Sequence, residues 1–305
     1  MNHAPPASAR QARVLIPFLI VTLIWGSTWL VIRDQVGSVP ASWSVTYRFI
    51  IASATMFAYA ALRGEPLRLD RRVVGFVILF GIAQFVFNFN FVYRAASYIT
   101  SGLIAVVFAL LLVPNAIFSR IFLGQRMSWS FLAGSAVALM GIGLLFIHEI
   151  EASSTGPVAV YTGIALTFAG VLSASAANVM QATERARLLP MATMLAWSTG
   201  AGALVDGIYA WTTSGPPVID LRPGYIAGVL YLGLVASAIA FTLYFGVIRA
   251  IGAARAAYSS VLIPIIAMTL STIFEGYVWS WESIAGCVLT LSGLVVALSA
   301  RRPAR

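Results

Sequence analysis

A chain of 305 residues that is 60% hydrophobic and 10% charged, with a mean hydropathy of +0.91, has too few polar side chains to cover its own surface. A soluble domain carries roughly a quarter charged residues, so the composition excludes a water-soluble globule and calls for lipid around the fold. The net charge of +9 rests on arginines scattered through short loops, a pattern that argues against a nucleic-acid partner.

Only helices or closed barrels satisfy every backbone group inside a bilayer. The apolar runs here exceed the roughly ten alternating residues of a barrel strand and approach the roughly 20 of a spanning helix. The spacing predicts helices over 14–32, 41–62, 73–95, 98–122 and 129–148, then over 158–180, 191–211, 224–249, 254–277 and 283–300. The first run follows Arg10 and Arg13 as a signal peptide would, but it holds Trp25 and Trp29 and lacks a small-x-small cleavage pattern, so it is expected to be a retained helix. Tight turns around Ala96–Ser97 and Ile251–Gly252 fall at matching places, and Ser153–Pro157 forms a turn-rich bridge. Cys287, the single cysteine, lies in the last run, where no internal disulfide can form.

The two sets of five repeat each other. Gly102, Pro114, Gln125 and Trp129 recur at an offset of 150 as Gly252, Pro264, Glu275 and Trp279. After a slip of two, Ala133, Gly134, Leu139 and Gly141 recur as Ala285, Gly286, Leu291 and Gly293. Five is odd, so the second set enters the membrane inverted, a construction shared by many secondary transporters with the substrate site at the repeat interface. The expected domain is a single transmembrane unit, 1–305, with repeat one at 14–150, repeat two at 156–300, and cytoplasmic tails at 1–12 and 301–305. With the N-terminus inside, the outer loops hold only Arg33, Arg94 and Arg222. Arg48 lies within a helix, and every other arginine falls on the inner side. The positive-inside rule therefore places both termini in the cytoplasm of a bacterial inner (plasma) membrane.

Trp25-Gly26-Ser27-Thr28 resembles the opening of EamA-type carriers of the drug/metabolite transporter superfamily. Tyr47-Arg48-Phe49 is similar to their aromatic-Arg-Phe start. The runs from Gly102 through Pro114 to Gly124-Gln125-Arg126, and from Gly252 through Pro264 to Glu275-Gly276, look like their helix-Pro-Gly-Glu signature. Gln125 stands where many members have Glu, and Glu275-Gly276 reverses the usual order. The resemblance covers essentially the whole chain, nearest to the YddG-like aromatic amino-acid exporters. It implies ten helices in two inverted five-helix repeats around a central cavity, and export of amino acids or other small metabolites.

Candidate substrate-binding residues follow from polarity in hydrocarbon. Gln84 and Asn88 share a helical face, either as a polar strip for substrate or as glue between helices. Thr28 and Asn178 occupy nearly equivalent places in the two repeats. Arg48 is read as a carboxylate anchor or as a structural ion pair or carbonyl cap. Trp25, Trp29 and Tyr244 offer aromatic surface, and Tyr258 a hydroxyl; such stripes also serve as core. Pro114 and Pro264 are expected hinges or static kinks. The glycines of the fifth and tenth helices suit packing or a dimer face. Asp206 and Glu275 lie toward outer helix ends, which argues for a facilitator or exchanger over an obvious proton relay.

The expected function is a secondary transporter exporting small metabolites, foremost neutral or aromatic amino acids, by alternating access. Alternatives are an exporter of toxic amphipathic compounds or other metabolites, or, from another class, a membrane enzyme or scaffold. No catalytic set, metal site or cofactor is expected. Histidines are limited to His3 and His148, and no phosphate loop is present. The expected partners are a small-molecule substrate and membrane lipid; the chain is expected as a homodimer or a monomer.

Overall fold

A computed structural model describes residues 7–124, 126–152, 156–251 and 259–299, and these are all-helical apart from turns and loops. The long helices are α1 Ala7–Gln35, α2 Ala41–Leu62, α3 Arg71–Ala95, α4 Ser101–Leu123, α5 Trp129–Ala152 and α6 Pro157–Ala182, the last followed by a single turn at Glu184–Arg187. They continue as α7 Met191–Ser214, α8 over 223–251, α9 Ser259–Phe274 and α10 Trp281–Ser299. Among the described residues, seven helices are long and apolar enough to cross a membrane: α1 to α6 and α8. α7 is as long, at 24 residues, but is diluted by Ser, Thr, Gly and Asp206. α9 and α10 contribute shorter apolar stretches. The protein is an all-helical membrane protein.

Local chemistry sets the helix starts in pairs. Pro40 and Pro190 precede α2 and α7 in extended backbone, a position where a missing N–H costs nothing. Asp70 accepts the Arg72 N–H before α3, and Asp220 accepts the Arg222 N–H before α8, both at 2.9 Å. Asp70 is the N-cap of α3 and satisfies one of its orphan donors, whereas Asp220 braces the loop two residues before the start of α8. Ser128 caps the Phe131 N–H at the start of α5, while Ser280 and Ser283 cap each other's N–H groups at the start of α10.

Those caps correct the register of the repeat. Gly124 (φ +67°) ends α4 and Gly276 (φ +68°) follows α9, both left-handed, where only glycine is unstrained. Their separation is 152, so Trp281, first residue of α10, stands opposite Trp129, first residue of α5. The expectation pairing Trp129 with Trp279 is wrong by the two residues inserted at the end of α9. Gln125 and Gly252 lie outside the described residues.

α3 and α8 are each interrupted by a π-helical stretch, Ile82–Phe87 and Tyr231–Ile239. α4 breaks at residues 110–111. Pro114 has no N–H, and its ring displaces the carbonyl four residues back. That carbonyl, on Leu110, accepts instead from the Val113 N–H at 2.7 Å. Pro264 lies inside an unbroken α9, so the two prolines are not conformationally equivalent.

Packing follows a rule of exchange. α5 packs on α10, α2 on α7 and α4 on α9; α3 lies on α6 as α1 lies on α8, and α1 on α9 as α4 on α6. α5 and α10 approach backbone to backbone, because a Cβ on Gly141 would fall 2.6 Å from the Gly286 carbonyl and one on Gly293 2.5 Å from that of Gly134. The glycine face is thus used within the chain.

Candidate functional site

One half of the bundle gathers polar groups from α1, α2, α3 and α8 around one buried charge. Arg48, eighth residue of α2, is 2% exposed. Its Nε donates to Ser237 Oγ of α8 at 3.1 Å. Its guanidinium lies 4.3 Å from the Phe89 ring centroid and 5.4 Å from that of Phe49. Tyr93 of α3 interacts with it electrostatically and donates from its hydroxyl to Gln35 Oε1 at 3.0 Å. Among the described residues Arg48 forms no ion pair, and its Nη1 has no hydrogen-bond partner. Gln35 Nε2 and Trp29 Nε1 are likewise buried donors without partners.

Magnitudes decide how to read this. A desolvated cation–π contact contributes about 2 kcal/mol, and one neutral hydrogen bond about 1 kcal/mol. Removing a guanidinium from water costs several kcal/mol. Two such contacts and one hydrogen bond contribute about 5 kcal/mol, of the same order as that cost, and every one of these partners is neutral. The ion-pair reading of Arg48 finds no acid among the described residues, and Nη1 is left without a hydrogen-bond partner.

An aromatic chain runs from this charge across the bundle. Phe89 meets Phe49 (4.9 Å), Phe49 meets Phe85 (4.9 Å), and Phe85 meets Phe241 of α8 (6.2 Å). Phe241 and Tyr244 then pack on Trp25 of α1 at 5.5 and 4.8 Å. Trp25 Nε1 donates to the Ala236 carbonyl at 3.1 Å, within the π stretch of α8. Tyr231, which opens that stretch, shares a 2.7 Å hydrogen bond with Ser27. π-helical turns are frequent at functional sites because they unpair carbonyls and rotate side chains. Here they place Gln84 on α3, and Tyr231 and Ser237 on α8.

Gln84 and Asn88 are both buried. Asn88 faces α6, its Oδ1 within 3.5 Å of where a Cβ on Gly170 would lie, and that oxygen has no hydrogen-bond partner. Trp29 packs on Phe108 of α4. Thr28 is buried, but its hydroxyl is bound to the Ile24 carbonyl of its own helix at 2.8 Å. Asn178 is exposed and reaches Asn115 of α4 at 3.4 Å, away from the Arg48 group. Tyr244 hydrogen-bonds Ser259. Tyr258 lies outside the described residues. Sequence reasoning missed Gln35, Ser237 and Tyr231; the available signal was their polarity inside apolar helices. A separate groove of about 750 Å³, lined mainly by apolar residues, opens between α2 and α7, from Trp43 to Trp211.

At the C-terminal end of α9, Glu275 joins three helices. Its Oε2 accepts from Ser101 N (3.1 Å), Ser101 Oγ (2.5 Å) and Ser271 Oγ (2.5 Å), and Oε1 lies 3.6 Å from Arg33 Nε. The end of α9 is thereby tied to the start of α4 and the end of α1.

The sequence profile of the EamA-like transporter family matches twice, over residues 13–147 and again over 161–299. The chain belongs to the EamA-like transporter family. It is therefore a member of a transporter family and not of an enzyme family. A relative, "Protein PagO" of Salmonella typhimurium, is 28% identical over 96% of this chain and 95% of its own. A second, named "Probable amino-acid metabolite efflux pump" in the same organism, is 25% identical over 94% and 96%. A solved crystal structure shares the fold, with a TM-score of 0.67 over 96% of this chain and 99% of that one at 22% identity.

Proposed function

We propose that this EamA-like chain exports neutral and aromatic amino acids across the bacterial inner membrane by alternating access. Its ten helices form two inverted five-helix repeats, 14–150 and 156–300, with tails 1–12 and 301–305 in the cytoplasm. The doubled family match and the exchange of helix contacts between the two sets support that architecture. The observation that carries the substrate reading is Arg48: a buried guanidinium that pairs with no acid among the described residues, beside a continuous run of rings. A carboxylate would supply the missing charge in bidentate geometry, and the rings would stack on the side chain. Relatives named as amino-acid metabolite efflux pumps are consistent with this.

Substrate enters between the repeats from the cytoplasm into a central cavity. Gln84 and Asn88 bind its polar groups, Arg48 holds the carboxylate, and Trp25, Trp29 and Tyr244 contact the side chain, with Thr28, Asn178 and Tyr258 as further contacts. Bending at Pro114 and Pro264 accompanies exposure to the other side. No cofactor or metal takes part. The test is uptake of a panel of labelled amino acids into proteoliposomes. Saturable uptake of phenylalanine or another neutral amino acid, reduced in Gln84→Ala and Asn88→Ala, is expected. Absence of any amino-acid uptake by folded protein would transfer the reading to other amphipathic metabolites.

A further inference from the structure

Asp206 takes no part in the substrate reading. It lies in α7, eight residues before the helix ends at Ser214, and is 0% exposed. Its Oδ1 accepts from Asn90 Nδ2 at 2.6 Å, and its Oδ2 has no partner. Asn90 is otherwise fully engaged: Nδ2 also donates to the Val86 carbonyl at 2.9 Å, and Oδ1 accepts from Ser42 Oγ at 3.0 Å. A string of side chains thus joins α2, α3 and α7.

The charged and titratable groups on the elements packed against this carboxyl are directed elsewhere. On α2, Arg48 turns to Ser237 and Tyr47 donates to the Val218 carbonyl. On α3, Arg94 donates to Tyr209 of α7, and Tyr93 to Gln35. Tyr225 of α8 hydrogen-bonds Ser44 of α2. Among the described residues no cation pairs with Asp206. An ionised carboxylate held by one neutral amide in hydrocarbon costs several kcal/mol, and the neutral acid avoids this. Charge can return to Asp206 only where water reaches Oδ2.

α3, which carries Asn90, has the irregular turn through which such access would open. Asn90 lies three residues beyond the π stretch Ile82–Phe87, which contains Gln84. Absorbing one residue of that bulge into regular α-helix would rotate everything after it by about 100°. Asn90 would then leave Asp206 as Gln84 changes its setting.

We propose that Asp206 is a proton-binding site, loaded when packed against Asn90 and emptied when α3 rotates away, and that it couples transport to a proton gradient through the π stretch of α3. The proposal rests on the chain being a transporter and does not depend on which substrate it carries.

The deciding experiment is an infrared pH titration of the full-length protein in lipid without substrate. A carbonyl band of a protonated carboxylic acid that titrates in the wild type is expected to vanish in Asp206→Asn and to shift in Asp206→Glu. A titrating band unchanged in both variants would overturn the proposal, and Asp206→Glu alone decides if Asp206→Asn does not fold. In proteoliposomes, phenylalanine uptake should be stimulated by a pH gradient in wild type. That stimulation should be lost in Asp206→Asn, with exchange in the absence of a gradient retained. Stimulation by a sodium gradient alone, or full pH stimulation in Asp206→Asn, would also overturn it. Absence of phenylalanine uptake in the wild type would count against the amino-acid reading, and the infrared titration would still decide Asp206.

Discussion

Glu275 is expected to hold the outer side closed, and Glu275→Gln should release it. Its side chain is 10% exposed, and three donors converge on Oε2: the Ser101 N–H, the Ser101 hydroxyl and the Ser271 hydroxyl. Hydrogen bonds to a charged acceptor are worth about 1.5–3 kcal/mol against about 0.5–1.5 for neutral ones. Neutralising the acceptor therefore costs about 1 kcal/mol per bond, and about 3 kcal/mol for the set. The Arg33 pair adds little, because that arginine is 41% exposed and water screens it. Only contacts that differ between two states shift their populations. Ser101 and Ser271 sit on different helices, so the bonds from Ser101 are lost when α4 and α9 part. If that parting is the outward opening, the two bonds from Ser101 carry about 2 kcal/mol of the difference, and the open fraction should rise by up to about 30-fold. The assay is labelling from outside by an impermeant maleimide of Thr28→Cys, placed in a Cys287→Ala background. The rate should rise toward that limit in Glu275→Gln and change little in Arg33→Gln. Equal rates with and without Glu275 would refute the reasoning.

Gly141→Ala would place a Cβ 2.5 Å from the Thr290 backbone nitrogen, so it should destabilise the α5–α10 pair by about 1–3 kcal/mol in thermal melts. Gly143→Ala meets nothing within 4 Å and should melt like wild type. Phe89→Leu stays apolar but removes the ring and with it the cation–π contact, and should raise KM for an aromatic amino acid by about tenfold, as expected for a loss near 1–2 kcal/mol. Asp220 accepts the Arg222 backbone N–H and its guanidinium, which hold the Asp220 carboxyl below its ordinary value. A depressed carboxyl stabilises the fold above its unfolded value and loses that contribution as pH falls through the folded one. Tm should therefore drop on acidification below the usual carboxylate range, and Asp220→Asn should flatten that part of the profile.

Much of the helical pattern was legible because long apolar runs have one solution in lipid. The turn at Ala96–Ser97 and the Pro114 break follow from the residues themselves. The register after α4 was not legible: Trp129 matches Trp279 and Trp281 equally well by identity, and the left-handed glycines at 124 and 276 decide between them. The π stretches carry no sequence mark, since they arise where α3 and α8 accommodate their neighbours. Arg48 was visible as a charge within a span, but whether it had an acid depended on tertiary packing. Ser237 and Gln35 looked like ordinary polar residues until α8 and α1 brought them to α2 and α3. Thr28 shows the converse: a polar residue singled out in sequence whose hydroxyl is bound to its own helix.

The central claim is that Arg48 holds a substrate carboxylate, and counterflow in proteoliposomes tests it most directly. Labelled phenylalanine would be exchanged against unlabelled phenylalanine or phenylalaninamide, which keeps the ring and amine but lacks the carboxylate. Wild type should exchange with phenylalanine and not with the amide. Arg48→Gln should lose phenylalanine exchange while remaining folded, and Arg48→Lys, which lacks the bidentate fork, should recover only part of it. Equal exchange with both compounds, or undiminished phenylalanine exchange in Arg48→Gln, would contradict the account.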